Sequence, residues 1–451
     1  MTTALAGTDR YLEEFERLER RDAPRTPAWL AELRRSAMTR FAQRGFPTTR
    51  DEDWRYTNLS SLTATPFQTA SSLPAHAVPA ARVNRLRIGP DAWPRLVFVD
   101  GRYAPEHSSV KQLARGVRLS SLAEAISDDE TLVDQELIGR HLGRYARPDS
   151  DVFAALNTTF VQDGAVLYVP AETTIRTPVE VVFLTTEPGA LSQPRILVVA
   201  GPNARATVVE RYVGFTDQAC FVNAVTEMAV GTGASVEHYV LQEQGASTFH
   251  FSTLHAALER DSAFSTCEAT FGARLARTTL TMRFGGEGGR GSLSGLYLTN
   301  DHQHVDHHVT VDHAVPRCSS RQLYKGVLDG ASRAVFDGRV IVRRDAQKTD
   351  AAQTNKHLLL SDGVEVDSKP RLEIFADDVK CTHGAAEGQL APEAIFYLRS
   401  RGLDERAARR LLTLGFVREV IDRIGVESIR SYLDRAIELR LGTERGSKEM
   451  A

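Results

Sequence analysis

The sequence predicts a mainly β protein with a β-helix core of stacked turns, flanked by helical N-terminal and C-terminal regions. Three observations carry this. From Leu156 to about Leu390, short strands are punctuated by Gly, Asn and Asp, and almost no segment holds a helical period for more than two turns. Within that stretch, turn-then-strand blocks begin near Gly201-Pro202-Asn203-Ala204, Gly231-Thr232-Gly233-Ala234, Arg260-Asp261-Ser262-Ala263, Gly330-Ala331-Ser332 and Arg344-Asp345-Ala346, each followed by alternating residues such as Thr207-Val208-Val209-Glu210. Outside it, near both ends of the chain, apolar residues recur at three- and four-residue steps. Rungs of strand without intervening helices fit a β-helix, because one turn cannot bury its apolar face alone and must stack on its neighbours. A β-sandwich is the alternative, mildly disfavoured because neither a repeated hairpin signature nor Cys-Trp-Cys spacing occurs.

Three regions follow. Residues 1–150 form a helical and mixed region: Tyr11 to Arg20 is helical by pattern. Thr26 can cap a second helix, with Pro27 at its first position, Leu30, Leu33, Ala37 and Phe41 on one face, and Gly45 after it. A loop or linker is expected over 62–82, where Pro66, Pro74 and Pro79 interrupt a Thr, Ser and Ala-rich run. Residues 151–391 hold the β-helix. In 392–451 the period returns to 3.6: Asp404 can cap a helix carrying Ala407, Leu411, Leu414, Val417, Ile421 and Ile424, which Gly425 ends, and Ile429, Leu433, Ile437 and Leu441 mark another.

Composition excludes several classes. The 451 residues are 42% hydrophobic and 25% charged, outside the disordered range, and 55 basic against 58 acidic side chains leave a net charge of −3, so no global positive field recommends nucleic acid or anionic lipid. The 4 cysteines, Cys220, Cys267, Cys318 and Cys381, are widely spaced, which argues against a disulfide scaffold or zinc finger and reads as a reducing cytosol. The N-terminus lacks the n- and h-regions of a signal peptide, and no apolar run approaches the ~20 residues of a membrane span. A cytoplasmic location is expected.

Candidate chemistry is sparse. Gly286 to Gly291 matches G-x-G-x-x-G literally, but an alternating strand follows where a dinucleotide site needs a helix, so it reads as a turn. No phosphate-binding loop of the G-x-x-x-x-G-K-[ST] type occurs, and ATP use would be a partner's. The run from His302 to His313 holds five of the 13 histidines. In a strand, His302, His304, Asp306, His308 and Asp312 share one face, and Val305, His307, Val309, Val311 and His313 the other. The first face can bind metal, but a structural or subunit-contact strand uses the same residues, and that reading is favoured. Cys220 and Cys267 alternate with apolar residues and read as buried. Cys381 and His383 project from one face of a strand, with Lys380 placed to lower the thiol pKa; two ligands are half of a metal site that another segment or subunit must complete, and from spacing alone a structural thiol is the equal alternative. Two rivals remain: a β-helix carbohydrate enzyme using Asp377 and Asp378, and a stand-alone metal enzyme using His302, His304 and His308.

A family resemblance spans most of the chain. Gly45-Phe46-Pro47-Thr48-Thr49-Arg50-Asp51-Glu52-Asp53-Trp54-Arg55-Tyr56-Thr57 is similar to a G-x-P-[ST]-x-[KR]-x-E-x-W-[KR]-Y-T segment. It is followed, in the family's order, by Phe98 to Tyr103, Leu156-Asn157, Asp306-His307-His308 through Val311-Asp312-His313, Cys318 to Gly326, Gln353 to Ser361, Val379 to Ala385, and Phe396 to Gly402. Together these resemble the SufB/SufD family of iron-sulfur cluster assembly proteins, on its SufD side. The resemblance implies a right-handed parallel β-helix and a non-enzymatic scaffold subunit. It also implies a heterodimer with SufB through the β-helices, and a SufC ATPase bound by C-terminal helices, with Leu411, Leu414, Val417 and Ile421 helping to dock it. It places Cys381 and His383 at the shared subunit interface, where a transient cluster is held by soft ligands. A homodimer in isolation and a flavin in the complex stay open, the flavin without support from these residues. Where SufB carries a Cys before its Leu-Leu pair this chain has Asn355-Lys356-His357, and where SufB has Glu after the His it has Gly384. Those departures suit SufD and count against a cluster built by this subunit alone.

Overall fold

A computed structural model of the chain describes residues 8–22, 26–69, 78–110, 113–127 and 132–442. It is a parallel β-solenoid of about eight turns with helices towards both ends of the chain, as the strand-rung pattern predicts. Short strands β1 (Gln68–Thr69), β2 (Arg95–Val99), β3 (Arg102–Tyr103), β4 (Arg118–Ser121), β5 (Gly164–Val169), β6 (Val179–Thr185), β7 (Ala190–Ser192) and β8 (Arg195–Ala200) begin the two sheets. Sheet A then continues through β10 (Phe221–Val230), β12 (Phe249–Leu258), β14 (Leu275–Phe284), β16 (His304–His313), β18 (Arg333–Val342) and β20 (Glu365–Ile374). Sheet B runs through β9 (Arg205–Gly214), β11 (Ser235–Glu243), β13 (Ala263–Thr270), β15 (Arg290–Thr299), β17 (Ser319–Leu328), β19 (Asp350–Leu359) and β21 (Lys380–Gly388).

The corners keep this register. Asn203, Gly233, Asp261, Gly288, Arg317 and Lys348 all turn with φ between +56° and +74°. The left-handed conformation costs a non-glycine residue about 1–2 kcal/mol. It persists here because the corner amides of Asn203, Gly233, Asp261, Arg317 and Lys348 donate to the carbonyls of Thr232, Arg260, Glu287, Gln347 and Asp378 in the following turn, at 2.7–2.9 Å. Four of the five sequence blocks lie at this corner. Gly330-Ala331-Ser332 lies at the other, between β17 and β18, where the Ala331 amide bonds to Asp301. Two interleaved corners explain the uneven spacing of the blocks. The Gly286 to Gly291 run is such a corner, turning at Gly288 before β15.

Inside the solenoid the early turns are apolar and aromatic, with Phe98, Phe183 and Tyr212 stacked at 5.0 and 5.2 Å. Polar groups enter the interior from the turn of Tyr212 onward. Buried Glu210 accepts from Tyr212, Thr226 and His238, and Glu268 from Thr278. The rings of Tyr297 and Tyr324 lie either side of His307.

Helices cover the outer faces. α1 (Asp9–Asp22), α2 (Ala28–Arg44), the short α3 (Ser60–Ala64), α4 (Ala80–Asn84), α5 (Leu122–Ser127) and α6 (Leu132–His141), and α7 (Val152–Phe160) precede the ladder. Tyr11, Phe41, Phe46, Trp54 and Phe153 from this region pack on Phe221 and Phe251 of sheet A. Asp151 caps α7, accepting from the amides of Phe153 and Ala154. The helix expected after Thr26 starts with Pro27 itself as its cap, while the Thr26 hydroxyl bonds back to the Asp22 carbonyl. The described parts of the expected linker include α3, β1 and α4; residues 70–77 lie outside the described residues. At the other end, α8 (Pro392–Ser400) lies against α9 (Glu405–Ile421), α9 and α10 (Glu427–Gly442) lie on sheet B, and the Asp404 carboxylate caps α9 through the Ala407 amide. α8 was not resolved as a separate helix by the sequence pattern. α9 ends at Ile421, before Ile424, because a tight turn holds the Gly425 amide on the Tyr239 hydroxyl.

A buried ion pair ties the N-terminal region to sheet A. Arg195 and Glu227 are fully buried and bonded to each other; Glu227 also accepts from the amides of Gly143, Tyr145 and Ala146, and Arg195 donates to Asn157 and Thr158. Removing one partner strands the other charge. Glu227→Ala is expected to lower the unfolding free energy by about 3–5 kcal/mol, read from urea denaturation; a loss well below that range would show that the pair is not carrying this junction. Acid acts on other groups. Burial pushes His250 down to about 3 and His313 down to about 4, so both stay neutral when folded while the unfolded chain takes up protons below about pH 6.5. Their contribution is complete above that pH and is lost as the pH falls towards 4, approaching about 1.4 kcal/mol per pH unit for each. Urea midpoints measured from pH 8 to 4.5 should fall across this window, and His250→Gln should flatten the fall.

Candidate functional site

The last rung is open. β20 and β21 pair on one side only, with β18 and β19, and among the described residues no strand continues either sheet. Strand alternation decides what this edge presents. Ala351, Gln353, Asn355 and His357 of β19 are buried in the interior, and the register places Cys381, His383, Ala385 and Glu387 of β21 directly over them. Cys381 is half-buried against Val340, Val342, Ala351 and Ala376, while His383 and Glu387 are exposed. Ser368 of β20 donates to Asn355 Oδ1 at 3.0 Å, and Tyr297 meets His357 Nε2 at 2.5 Å. Beneath the edge, both side-chain atoms of Gln322 and Gln353, Asn355 Nδ2 and His357 Nδ1 are buried without a hydrogen-bond partner. Such groups are normally satisfied by water or a ligand.

Cys381 and His383 thus stand together on one face of an edge strand, as their spacing requires. The expectation that Lys380 lowers the thiol pKa is corrected. Burial pushes the Cys381 thiol up, and Lys380, next along the strand, projects from the opposite face. Glu387, which the sequence reading passed over, shares the face of Cys381 and His383 and has its carboxyl raised by burial and by Asp367. Even spacing from 381 through 383 to 387 was the signal that would have found it. The other thiols are buried, with Cys220 pushed up to about 11 and Cys267 to about 12 by burial. Cys318 is held on the carbonyls of Gly286 and Pro316.

The histidine-rich run divides. His302 is exposed in the turn before β16, so it does not join the strand face assigned to it. On the outward face, His304 meets the Thr57 hydroxyl at 3.2 Å, Asp306 accepts from Thr57 and Arg277, and His308 Nε2 lies 3.1 Å from its other oxygen. Burial opposes the charge of Asp306, yet Arg277, with His308 and His304, holds the carboxyl far below the usual range. Asp312 takes both donors of Arg343 at 2.8 Å. Inward, His307 lies 3.7 Å from Glu268 and His313 bonds to Ser320. Two family motifs therefore meet: Arg277 packs on the Trp54 ring at 3.6 Å and donates to the Asp53 carbonyl, and Thr57 closes on Asp306. Of the carboxylates considered for a carbohydrate enzyme, Asp378 is ion-paired with Lys348 at a corner.

The C-terminal face is also redrawn. Val417 and Ile421 are buried against sheet B and α10, Leu414 is half-buried, and only Leu411 is exposed. Lys325 anchors α9 from below, donating to the Phe416 carbonyl at 2.8 Å and pairing with Glu419. The large apolar groups left exposed here are Leu411, Leu439 and, in the Phe396 to Gly402 motif, Phe396 and Tyr397.

Among the described residues the chain is thus a parallel solenoid whose last rung is uncapped and carries a thiol, an imidazole and a carboxylate. Residues 183–416 match the family described as SUF system FeS cluster assembly, SufBD core domain, and residues 6–181 match the SufBD protein N-terminal region. The chain is 33% identical over 404 residues to an iron-sulfur cluster assembly SufBD family protein of Synechocystis, covering 87% of each. It is 30% identical over 404 residues to the iron-sulfur cluster assembly protein SufD of Escherichia coli, covering 88% of this chain and 90% of that one. It is also 25% identical over 448 residues to SufD of Bacillus subtilis, covering 97% and 99%. The chain belongs to the SufBD family of the SUF system.

Exposure and burial together predict the thiol chemistry. Iodoacetamide should alkylate Cys381 alone in the folded protein, with a rate rising about tenfold per pH unit from pH 7 to 8.5 as the raised pKa is approached. Mass spectrometry locates the label; a rate already level at pH 7, or labelling of Cys220, Cys267 or Cys318 before unfolding, would contradict the assignment.

Proposed function

We propose that this chain is a SufD-type, non-ATPase subunit of a cytoplasmic iron-sulfur cluster assembly scaffold, pairing with a SufB-type paralogue through its open solenoid end and holding a SufC-type ATPase through its C-terminal helices. The observation that carries the reading is the unpaired last rung with Cys381 and His383 on it. An edge strand offers a row of free amides and carbonyls, ready to continue in another chain's sheet. The donors it brings to such a junction are a soft thiol, a borderline imidazole and a carboxylate, enough to contribute to binding iron and sulfide but too few to enclose them. A cargo held between two chains can be released by moving one of them. Family membership supports the same reading, since relatives of this chain carry the name of cluster assembly proteins. No described helix is long and apolar enough to cross a membrane.

The ATPase contact is assigned to Leu411 with Phe396 and Tyr397, because Val417 and Ile421 are engaged within the chain. Co-expression with the two partners tests both junctions. Cys381→Ala and His383→Ala should each lower iron and sulfide in the anaerobically reconstituted complex several-fold while the subunit ratio stays unchanged, and Phe396→Asp with Leu411→Asp should release the ATPase without disturbing the solenoid pair. Wild-type iron and sulfide in both edge variants, or an intact ATPase contact in the double variant, would overturn the corresponding assignment. Size analysis of the chain alone shows whether a second copy occupies the same edge.

A further inference from the structure

Outside the edge site, a cavity of about 520 Å³ lies between the segment around Asp51 to Trp54 and the outward face of sheet A. Near its floor, one carboxylate oxygen of Asp53, one ring nitrogen of His308 and one carboxylate oxygen of Asp337 come within 4.8 Å of one another. These residues arrive from the N-terminal region, β16 and β18. We propose that Asp53, His308 and Asp337 bind a divalent first-row metal ion such as Fe(II), Mn(II) or Zn(II), at a site separate from Cys381 and His383.

Each of the three has a lone pair left over. His308 Nε2 lies 3.1 Å from Asp306 Oδ1, and no hydrogen bond reaches its Nδ1 among the described residues. A buried, ionised carboxylate behind an imidazole fixes the tautomer that leaves the other nitrogen free, the arrangement that commonly supports a metal-binding histidine. Asp337 is 6% exposed, and both hydrogen bonds from Arg371, at 3.1 and 2.6 Å, fall on Oδ1, leaving Oδ2 unbonded. Asp53 is exposed and its carboxylate accepts no hydrogen bond among the described residues, although its backbone is fixed by Arg277. Ligands about 2.1 Å from one ion stand at most roughly 4.2 Å apart, a small closure from the 4.8 Å within which the three atoms lie, and the exposed Asp53 side chain has room to move towards the others.

Two of the guanidiniums nearest the site are engaged by carboxylates outside the ligand set, Arg277 by Asp306 and Arg339 by both oxygens of Glu373, while Arg371 holds Asp337 through one oxygen and would share that ligand with the ion. One imidazole with two carboxylates suits a borderline to hard divalent ion and suits Cu(I) or a sulfide-bridged cluster poorly. Three protein ligands beside an open cavity leave coordination positions for water or a small oxygen donor. The simpler reading of the same residues is a polar latch holding the N-terminal segment on the solenoid. It differs in one respect: a latch does not need ligating side chains from three separate elements to converge.

The test uses full-length protein and Mn(II), read as loss of the free-ion electron paramagnetic resonance signal. One saturable site per chain is expected. Asp53→Asn and His308→Gln should each weaken it at least about tenfold, and Cys381→Ala/His383→Ala should leave it unchanged. Asp53→Asn, an exposed isosteric change, decides the matter if His308→Gln fails to fold. No saturable binding, binding indifferent to Asp53→Asn, or binding lost only in the Cys381→Ala/His383→Ala variant would overturn the proposal. Because the last variant reports on the edge site alone, failure here is distinguishable from failure of the assembly reading.

Discussion

In-register stacking of parallel rungs is the constraint on which the rest of this molecule depends. Each inward side chain must sit on the equivalent residue of the turn before, and each corner amide must find the carbonyl of the turn after. A rung satisfies its neighbour and is satisfied by the next, so the scheme has no internal ending. At the start of the solenoid the short strands β3 and β4 close the sheets by antiparallel pairing. At the other end nothing comparable occurs among the described residues, and the cost of an unpaired rung is carried in full by β20 and β21.

That constraint also governs what the interior can contain. A column of apolar residues satisfies stacking most simply, and the early turns have one. Later turns place His307, Gln322, Gln353, Asn355 and His357 in the column, and several of their polar atoms have no partner. Burial of such groups costs about 1–3 kcal/mol each when nothing bonds to them, so their concentration beneath the open rung is a departure from the most stable core. Departures of this kind are expected where a structure serves something besides its own stability. The donors above them, Cys381, His383 and Glu387, belong to the same departure.

Legibility in the sequence followed from how local each feature is. The strand rungs, the Asp404 cap and the shared face of Cys381 and His383 depend on neighbours within a few residues, and alternation or capping chemistry states them directly. The Lys380 expectation failed on the same rule, because adjacent residues on a strand point apart. Val417 and Ile421 were indistinguishable by period from Leu411, since a helical stripe tells which residues lie together and not which of them another element has covered. Asp53 occupies an unspecified position of the Gly45 to Thr57 motif, and Asp337 lies in no motif. Only the docking of the Trp54 to Thr57 segment on β16, through Thr57 and Arg277, brings them to His308.

The edge strand itself favours continuation. Proteins that keep such an edge free usually blunt it with proline, a bulge, inward charges or a covering helix. β21 reads Lys380-Cys381-Thr382-His383-Gly384-Ala385-Ala386-Glu387-Gly388, with no proline and one inward carboxylate, Glu387, near its end, and it pairs with β19 from end to end without a bulge, whereas the neighbouring β20 carries Pro370. Around Gly384 and Gly388 there is open space where a side chain would otherwise stand, so another backbone can come close to this strand. α9 and α10, which are able to shield a strand, lie instead on the face of sheet B. An exposed, small-residue, unbulged strand carrying one thiol and one imidazole is therefore hard to account for as the outer surface of a finished molecule. It is readily accounted for as half of a junction, in which the backbone supplies the pairing and the side chains supply part of a ligand set.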